Sequence, residues 1–474
     1  MTRGGFVTSV AVLTIGTTAG QAIIIVGSLI LLRLYTPDEI GVFGVYLAII
    51  SIGAIFATLR YEAAIPLPNS EDEALDVLAL ALVAAVSISA LMGLGAWLVA
   101  SDVIVVTIPA AARDMLWLLP LGLFMVAVQQ TLTSWATRRA AFGASARSNV
   151  AGAGVQTVGQ IALGIPGMGV LGLVVGYLGG RVSAILALVG TIASSERASL
   201  RGASARRLGS VAARYRRFPL YILWAALLNT ASVQAPVLLL AAMFDTTVVG
   251  WFSITVRVLQ LPSTIVGNAV GQVFYSRVSR ESPTGVAATT KAVYRSLVAL
   301  GAGPMVLLAI GGQQLFAFVF GEAWQEAGAY AQWLAPWLLL VFVTSPLSTL
   351  VFVRERQRAE LLFQLVLLAA RTGTLVAGWA LGSATLAIAF FGVASTALWG
   401  GYMVWLLRIG GAGVRDPLGW LARDVAIALL VGTPLLLVTL AGAQGIAWAT
   451  VAIVSLGVVL LRAQREIRTL ARPA

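Results

Sequence analysis

Three arginines lie deep inside long apolar stretches of this sequence, where a charge is energetically costly. Arg181, Arg257 and Arg371 each stand near the middle of such a stretch. If the stretches are helices rising 1.5 Å per residue, each arginine lies about 15 Å from either end, too far for easy snorkelling. An arginine at the centre of a membrane helix costs roughly 2.5–3.5 kcal/mol on insertion scales. These side chains therefore need water, a protein partner or an anionic ligand.

No carboxylate stands at matching depth, because the Asp and Glu residues all lie near the ends of the apolar stretches. Two interpretations stay open for each arginine taken singly: pairing with helix-end carbonyl groups, or exposure to a hydrated cleft. For the three together we favour a shared cationic cleft. A guanidinium group donates two parallel hydrogen bonds to a phosphate, so the predicted ligand is a phosphate-bearing anion.

Polar residues in other apolar stretches could line the same cleft. Asn229 and Gln234 run straight into Pro236, and proline removes a backbone hydrogen bond and kinks a helix. This pattern predicts a polar, kinked helix that moves. For any single glutamine, hydrogen bonding between packed helices is the simpler explanation. The glutamines concerned are Gln21, Gln129, Gln130, Gln156 and Gln160.

Two further charged positions flank the apolar stretches. Arg60 and Glu62 end the second stretch, and Arg33 lies in the break after the first. Arg60 and Glu62 form either an exposed ion pair or a mouth that captures a charged headgroup, and the sequence does not choose between them. The candidate substrate-binding set is Arg181, Arg257, Arg371, Asn229, Gln234, Arg60, Glu62 and Arg33.

The elements that position these residues are predicted to be membrane helices. Hydrophobic residues make up 59% of the 474 residues and charged residues 11%, whereas soluble domains carry roughly 25% charged residues. Fourteen apolar stretches follow one another between Val10 and Leu461, most of them close to the roughly 20 residues that cross a bilayer. The fifth, Val150–Leu163, is short and rich in glycine. Backbone polar groups in lipid must pair within their own segment, so the predicted fold is an all-α polytopic membrane protein.

The basic residues sort into alternate breaks between the stretches. Taking every second break as cytoplasmic collects 26 of the 31 basic residues, and cytoplasmic loops carry this excess. We therefore expect a multi-pass protein of the cytoplasmic (inner) membrane with both termini in the cytoplasm. The net charge of +12 is then loop arginine that favours anionic lipid headgroups, and nucleic acid is not an expected partner.

The sequence offers no catalytic constellation. It contains no Cys and no His, which excludes thiolate metal sites and histidine acid–base chemistry. It also contains no glycine-rich phosphate loop followed by lysine. We expect neither an enzyme nor a bound cofactor, and the sequence leaves open whether a coupling ion drives the protein.

The predicted organisation is two six-helix lobes and two additional helices. The lobes are residues 1–193 and 218–407, joined by a basic linker at 194–217, and residues 408–474 hold the last two spans and a basic tail. Two interpretations of the linker stay open: an amphipathic helix on the inner leaflet, or a site for an acidic partner. A weak repeat supports the two lobes: an aromatic residue, a polar tip, Gly41 and Phe43 recur 209 residues later as Gly250 and Phe252. Repeats separated by an even number of spans are parallel, and their two lobes enclose a central cleft.

Several segments, in their order and spacing, carry a resemblance to a known family. The chain resembles the oligosaccharide and polysaccharide flippases, the Wzx-like branch of the superfamily that includes the multidrug MATE transporters. The segments are Leu32–Gly41, Leu59–Ile65, Phe218–Tyr221, Val249–Phe252, Arg257–Pro262 and Gly321–Gly328, with Pro336 and Pro346.

The resemblance implies a MATE-like fold and transfer of an undecaprenyl-diphosphate-linked oligosaccharide from the inner to the outer leaflet, for cell-surface polysaccharide synthesis. Polysaccharide polymerase machinery would be a partner. One alternative is a cation-coupled multidrug exporter of the same fold, which should hold a carboxylate at membrane depth. Another is an integral-membrane glycan polymerase or ligase, which should carry a large outward loop. The longest outward breaks, near residues 102–113 and 321–328, are too short for that.

Overall fold

The computed structural model describes residues 3–103, 115–192, 204–443 and 445–470. Within these ranges all the regular structure is helical, which confirms the predicted all-α class. The chain forms two compact units, an N-terminal unit (Met1–Leu238) and a C-terminal unit (Leu239–Ala474). The outward break predicted near residues 102–113 falls almost entirely outside the described residues.

The helices of the N-terminal unit follow the first six predicted spans and the basic linker. They are α1 (Arg3–Leu34), α2 (Pro37–Ala57), α3 (Glu71–Ala100), α4 (Leu118–Arg138), α5 (Phe142–Gly164), α6 (Gly169–Val189) and α7 (Ala205–Arg214). The next helix, α8 (Leu223–Met243), contains the boundary between the two units and follows a π-helical turn at Phe218–Ile222. The sequence predicts the boundary between the lobes at the linker 194–217, whereas the two compact units meet within α8. The six-helix lobes therefore stay a prediction.

The helices of the C-terminal unit follow the remaining spans. They are α9 (Thr246–Pro262), α10 (Asn268–Val278), α11 (Pro283–Phe320), α12 (Gln325–Thr344), α13 (Gln357–Ala380), α14 (Ala384–Ile409), α15 (Arg415–Leu440) and α16 (Gly445–Leu470). A π-helical turn at Ser263–Gly267 joins α9 to α10. α15 and α16 both pack against α11, so the two additional spans belong to this compact unit.

In the described part of the chain, twelve helices are long and apolar enough to cross a membrane. The other two predicted spans are also helical, but their composition and continuity differ. α5 is rich in Gly, Ala and polar residues, and its 23 residues extend the short span that the sequence predicts at Val150–Leu163. α9 and α10 are each too short alone because the π-helical turn separates them. Membrane helices tolerate such irregular turns where neighbouring groups satisfy the freed backbone atoms.

The helical backbone is not interrupted at Pro236, where the sequence predicts a kink. α8 continues as an α-helix through Pro236. The irregular backbone lies instead in the two π-helical turns and at Gly311, whose φ of −118° and ψ of 23° break the helical geometry of α11.

The repeated segments have the same structural role in both units. Thr36 caps α2 through a capping box with Glu39, and Asp245 caps α9 by accepting a hydrogen bond from the Val248 amide at 2.9 Å. The phenylalanine that follows each repeated glycine is buried and meets an aromatic ring edge to face. Phe43 meets Tyr177 at 6.0 Å, and Phe252 meets Phe391 at 5.8 Å.

Close glycine contacts hold α1, α5 and α6 together. A methyl group on Gly20 would lie 3.0 Å from the carbonyl oxygen of Asn149, and one on Gly180 would lie 2.7 Å from that of Gly152. Small residues let membrane helices approach closely, where packing and not the hydrophobic effect holds them together. These contacts fix the backbones that carry the polar side chains of the N-terminal unit.

We expect Gly180→Ala to destabilise the protein by roughly 1–3 kcal/mol, because its methyl group would meet backbone atoms that cannot yield without separating α5 from α6. Gly179→Ala is the control, because a methyl group on Gly179 would meet only Val155 Cγ1 at an ordinary 3.7 Å. Thermal unfolding in detergent should show a lower melting temperature for Gly180→Ala alone. Equal melting of the two variants would show that this glycine contact does not hold the helices.

The basic linker is partly described and does not lie free. Residues 193–203 are outside the described ranges, but α7 is bound to the start of α3. Arg207 pairs with Asp76 at 3.0 Å, and Arg214 pairs with Glu73 at 2.9 Å. Tyr215 also donates to Glu73, and burial together with this hydrogen bond raises the pKa of its phenol. The acidic partner of these arginines is therefore a helix of the same chain.

A cluster of charged residues joins α15 and α16 to α11. Asp424 is buried, and its Oδ1 accepts hydrogen bonds from Arg423 and, at 2.7 Å, from Arg462. Glu466 accepts from Arg423 and from Arg295. The other oxygen of Asp424, Oδ2, is buried without a hydrogen-bond partner beside a cavity of about 20 Å³, which has room for a single water molecule.

Candidate functional site

A polar cavity of about 180 Å³ lies inside the N-terminal unit, between α1, α4, α5 and α6. The glycine contacts described above bring the backbones of α1, α5 and α6 close together. Side chains of the amide, hydroxyl and guanidinium types line much of it. Its polar lining consists of Thr17, Gln21, Gln129, Ser148, Asn149, Gln156 and Arg181.

Arg181 lies at this cavity with two protein partners, neither of them a carboxylate. Its Nη1 donates to Gln129 Oε1 at 2.7 Å, and its guanidinium carbon lies 4.8 Å from the centre of the Tyr177 ring. Its Nε is buried without a hydrogen-bond partner. Neither partner neutralises the guanidinium, so the cavity contains an uncompensated positive charge.

Three of the five glutamines considered at the sequence level line this cavity, and Gln130 does not. Gln21 and Gln156 form no hydrogen bond with the described part of the chain, and Gln129 bonds only Arg181. Gln160 does not line it, because its amide donates to the Leu173 carbonyl oxygen at 2.9 Å between α5 and α6. For Gln160 the simpler explanation, bonding between helices, is the one the structure supports.

Arg371 is held in an aromatic cage of the C-terminal unit. Its guanidinium carbon lies 4.6 Å from the centre of the Trp337 ring and 5.0 Å from that of Phe391. Its Nε donates to Ser395 at 3.2 Å, and its Nη2 is buried without a partner. Cation–π contacts of this kind stabilise a charge away from water, so Arg371 has a structural role that the sequence did not show.

Arg257 differs from both, because its side chain is exposed near the centre of the segment formed by α9 and α10. Among the described residues it forms no hydrogen bond, ion pair or cation–π contact. A mid-depth guanidinium that faced hydrocarbon without a partner would be costly. Its exposure therefore requires water or an anion.

The three arginines have different surroundings. Arg257 and Arg371 share no partner among the described residues of the C-terminal unit, and Arg181 belongs to the cavity of the N-terminal unit. One cleft common to all three stays a prediction.

The polar residues of α8 lie at similar depth along their helix. Asn229 is exposed and Gln234 is partly exposed, and neither forms a hydrogen bond within the described residues. Polar side chains left open near the middle of a long apolar helix indicate contact with water.

The predicted pair at the end of α2 is present but buried in part. Arg60 contacts Glu62 at 3.1 Å, and the Glu62 carboxylate is buried and also accepts from Thr58. Leu59 and Arg60 both have left-handed backbone angles, with φ of 50° and 62°, a conformation that costs free energy in residues other than glycine. Burial also raises the pKa of Tyr61 in this turn. An exposed ion pair is therefore the wrong description, and the role in headgroup capture stays a prediction. Arg33 lies exposed in the last turn of α1.

Sequence reasoning missed three polar residues of the cavity, Thr17, Ser148 and Asn149. The Asn149 amide donates a hydrogen bond to the Thr17 hydroxyl at 3.0 Å. Their helical spacing could have identified Thr17 and Asn149 in the sequence. Thr17 precedes Gln21 by four residues and Asn149 precedes Gln156 by seven, so each pair shares one helix face. The cage around Arg371 had no such signal, because its aromatic residues come from two other helices.

Comparison with known proteins identifies the fold. A structure described as lipid II flippase MurJ in an inward closed conformation aligns with 97% of this chain and 99% of its own, with a TM-score of 0.75 and 10% identity. An inward-facing multidrug resistance MATE family transporter of the MOP superfamily aligns with 83% of this chain and 95% of its own, with a TM-score of 0.60 and 14% identity. The predicted MATE-like fold is confirmed.

No curated protein matches the sequence. A family model described as polysaccharide biosynthesis protein matches residues 30–329. This confirms the family resemblance, and the chain is a multi-pass membrane protein that belongs to the polysaccharide biosynthesis protein family.

Proposed function

We propose that this protein moves an undecaprenyl-diphosphate-linked oligosaccharide from the inner to the outer leaflet of the cytoplasmic membrane. Its family supports a role in polysaccharide synthesis, and its fold is shared with structures described as a flippase and as multidrug transporters. A diphosphate bearing sugars does not cross about 30 Å of hydrocarbon unaided. A protein that hydrates and binds the headgroup while the polyprenyl tail stays in lipid removes that barrier.

The observation that carries this proposal is the exposed guanidinium of Arg257, which has no partner among the described residues. It supplies a fixed positive charge at mid-depth with hydrogen-bond donors free for a ligand. Diphosphate oxygens accept such donors in pairs, and charge-assisted bonds of this kind are about twice as strong as neutral ones. Exposure of this charge first to one leaflet and then to the other would transfer the headgroup.

The backbone near Arg257 offers a place for such a motion. Pro262 ends α9, and the π-helical turn at Ser263–Gly267 follows directly. Irregular turns of this kind interrupt the regular hydrogen-bond ladder and allow a helix to bend. We propose that bending here accompanies the change in access, with both termini in the cytoplasm.

A multidrug exporter of the same fold is the main competing function. A site for cationic drugs should contain a carboxylate, whereas the described lining of the 180 Å³ cavity contains none and includes Arg181. The anion-binding chemistry therefore favours the flippase.

Reconstitution in proteoliposomes tests the proposal. A fluorescent undecaprenyl-diphosphate-linked oligosaccharide in the inner leaflet should become accessible to an impermeant quencher at a protein-dependent rate. A cationic dye should not be transported by the same vesicles. Equal lipid transfer with and without protein would contradict the flippase, and dye transport alone would support the exporter.

A further inference from the structure

We propose that the 180 Å³ cavity of the N-terminal unit is a subsite for one sugar ring of the glycan, separate in role from the arginine that binds the diphosphate. This inference rests on the proposed function. In this proposal the amide side chains of Gln21 and Gln156 distinguish a sugar-bearing lipid from the bare lipid diphosphate.

The lining has the chemistry that hydroxyl groups require. Each amide side chain offers two donors and a carbonyl acceptor, and each sugar hydroxyl both donates and accepts. Gln21 and Gln156 make no hydrogen bond with the described part of the chain, so their full bonding capacity faces the cavity. Both glutamines are half-buried at the cavity, on the facing helices α1 and α5. A polar ligand in the cavity can satisfy their donors and acceptors.

The charge of the lining argues against the diphosphate as that occupant. Among the described residues Arg181 is the only cation that lines the cavity, and part of its bonding capacity is already used by Gln129 and by the ring of Tyr177. A diphosphate would be better held by several free cations. A neutral or singly charged sugar suits one partly engaged guanidinium surrounded by amides and hydroxyls.

The size of the cavity suits a single sugar ring. At about 180 Å³ it is smaller than the roughly 300–1,000 Å³ of pockets that enclose drug-sized molecules. An oligosaccharide would leave its other rings outside the cavity.

The backbone around the cavity is held in place before any ligand binds. Gly20 of α1 contacts the Asn149 carbonyl of α5, and Gly152 of α5 contacts the Gly180 carbonyl of α6. Asn149 and Thr17 are fixed by their mutual hydrogen bond. A site ordered in advance loses less entropy on binding, which suits recognition of one ring by a few hydrogen bonds.

The test compares lipids with and without a sugar. Wild-type protein, the double variant Gln21→Met and Gln156→Met, and the control Gln130→Met would be reconstituted separately. Methionine keeps the length of glutamine and removes its hydrogen bonds, and Gln130 neighbours Gln129 on α4 but does not line the cavity. The probes are undecaprenyl diphosphate alone and the same lipid carrying one glucose, galactose or N-acetylglucosamine.

We expect wild-type protein and the control to transfer at least one sugar-bearing lipid about tenfold faster than the bare lipid, as loss of one or two hydrogen bonds implies. The double variant should transfer the bare lipid at the wild-type rate and lose the preference. An unchanged preference in the double variant, or no preference in wild-type protein, would overturn the sugar subsite. Failure of wild-type protein to transfer any of these lipids would overturn the proposed function itself.

Discussion

Replacing Arg257 with alanine should slow the transfer of undecaprenyl-diphosphate-linked oligosaccharide by about 10- to 100-fold. Hydrogen bonds to charged groups contribute roughly 1.5–3 kcal/mol each, and every 1.4 kcal/mol is a factor of ten. Arg257 is exposed near the middle of its helical segment and has no partner in the described part of the chain, so its removal should leave the fold intact. The change should weaken ligand binding. The measurement is the initial rate of quenching in proteoliposomes.

Two variants separate the charge from its geometry. Arg257→Lys keeps a positive charge but loses the planar fork, and it should transfer lipid at an intermediate rate. Arg280→Ala removes an exposed arginine from the turn after α10 and should not change the rate. Wild-type transfer by Arg257→Ala would show that this arginine does not bind the substrate.

Replacing Asp424 with alanine should produce the largest loss of stability, about 2–3 kcal/mol. Removing one partner of a fully buried ion pair costs roughly 3–5 kcal/mol, because the remaining charge is left uncompensated. The side chain of Asp424 is 3% exposed, but those of Arg423 and Arg462 are 42% and 33% exposed. Water can therefore partly solvate the two arginines after the change, which reduces the expected loss.

Thermal unfolding in detergent measures this effect. Asp416→Ala is the matched control on the same helix, because Asp416 is 62% exposed and its contact with Lys291 is 3.5 Å long. Exposed pairs contribute little, so this control should melt like wild-type protein. Equal melting of the two variants would show that the cluster does not hold α15 and α16 to α11.

The sequence predicted the helices well because lipid imposes one strong rule on every span. Apolar length alone located a helix at each predicted span, including α5, whose glycines conceal its true length. The repeat around Gly41 and Gly250 was visible in the sequence because its helix caps are encoded locally. The aromatic partners of Phe43 and Phe252 lie far along the chain and were not predicted. The kink at Pro236 stays a prediction. The sequence did not predict the π-helical turns at Phe218–Ile222 and Ser263–Gly267, because contacts with neighbouring helices decide where an irregular turn forms.

The candidate site was predictable by residue type but not by arrangement. Depth within a span identified Arg181, Arg257 and Arg371 as costly charges. Their surroundings depend on contacts between helices distant in sequence: Trp337 and Phe391 enclose Arg371, and Gln129 bonds Arg181. A single sequence contains no direct signal for such contacts.

The central claim is that Arg257 faces water at mid-depth and binds the lipid-linked substrate there. The chain contains no cysteine, so Arg257→Cys introduces a unique thiol that a charged, membrane-impermeant reagent can modify only where water reaches it. Leu430→Cys, at an apolar position of α15 that is 72% exposed, is the lipid-facing control, because a thiol without water does not form the reactive thiolate. We predict rapid modification at position 257 and no modification at position 430. An unreactive thiol at position 257 would contradict the claim.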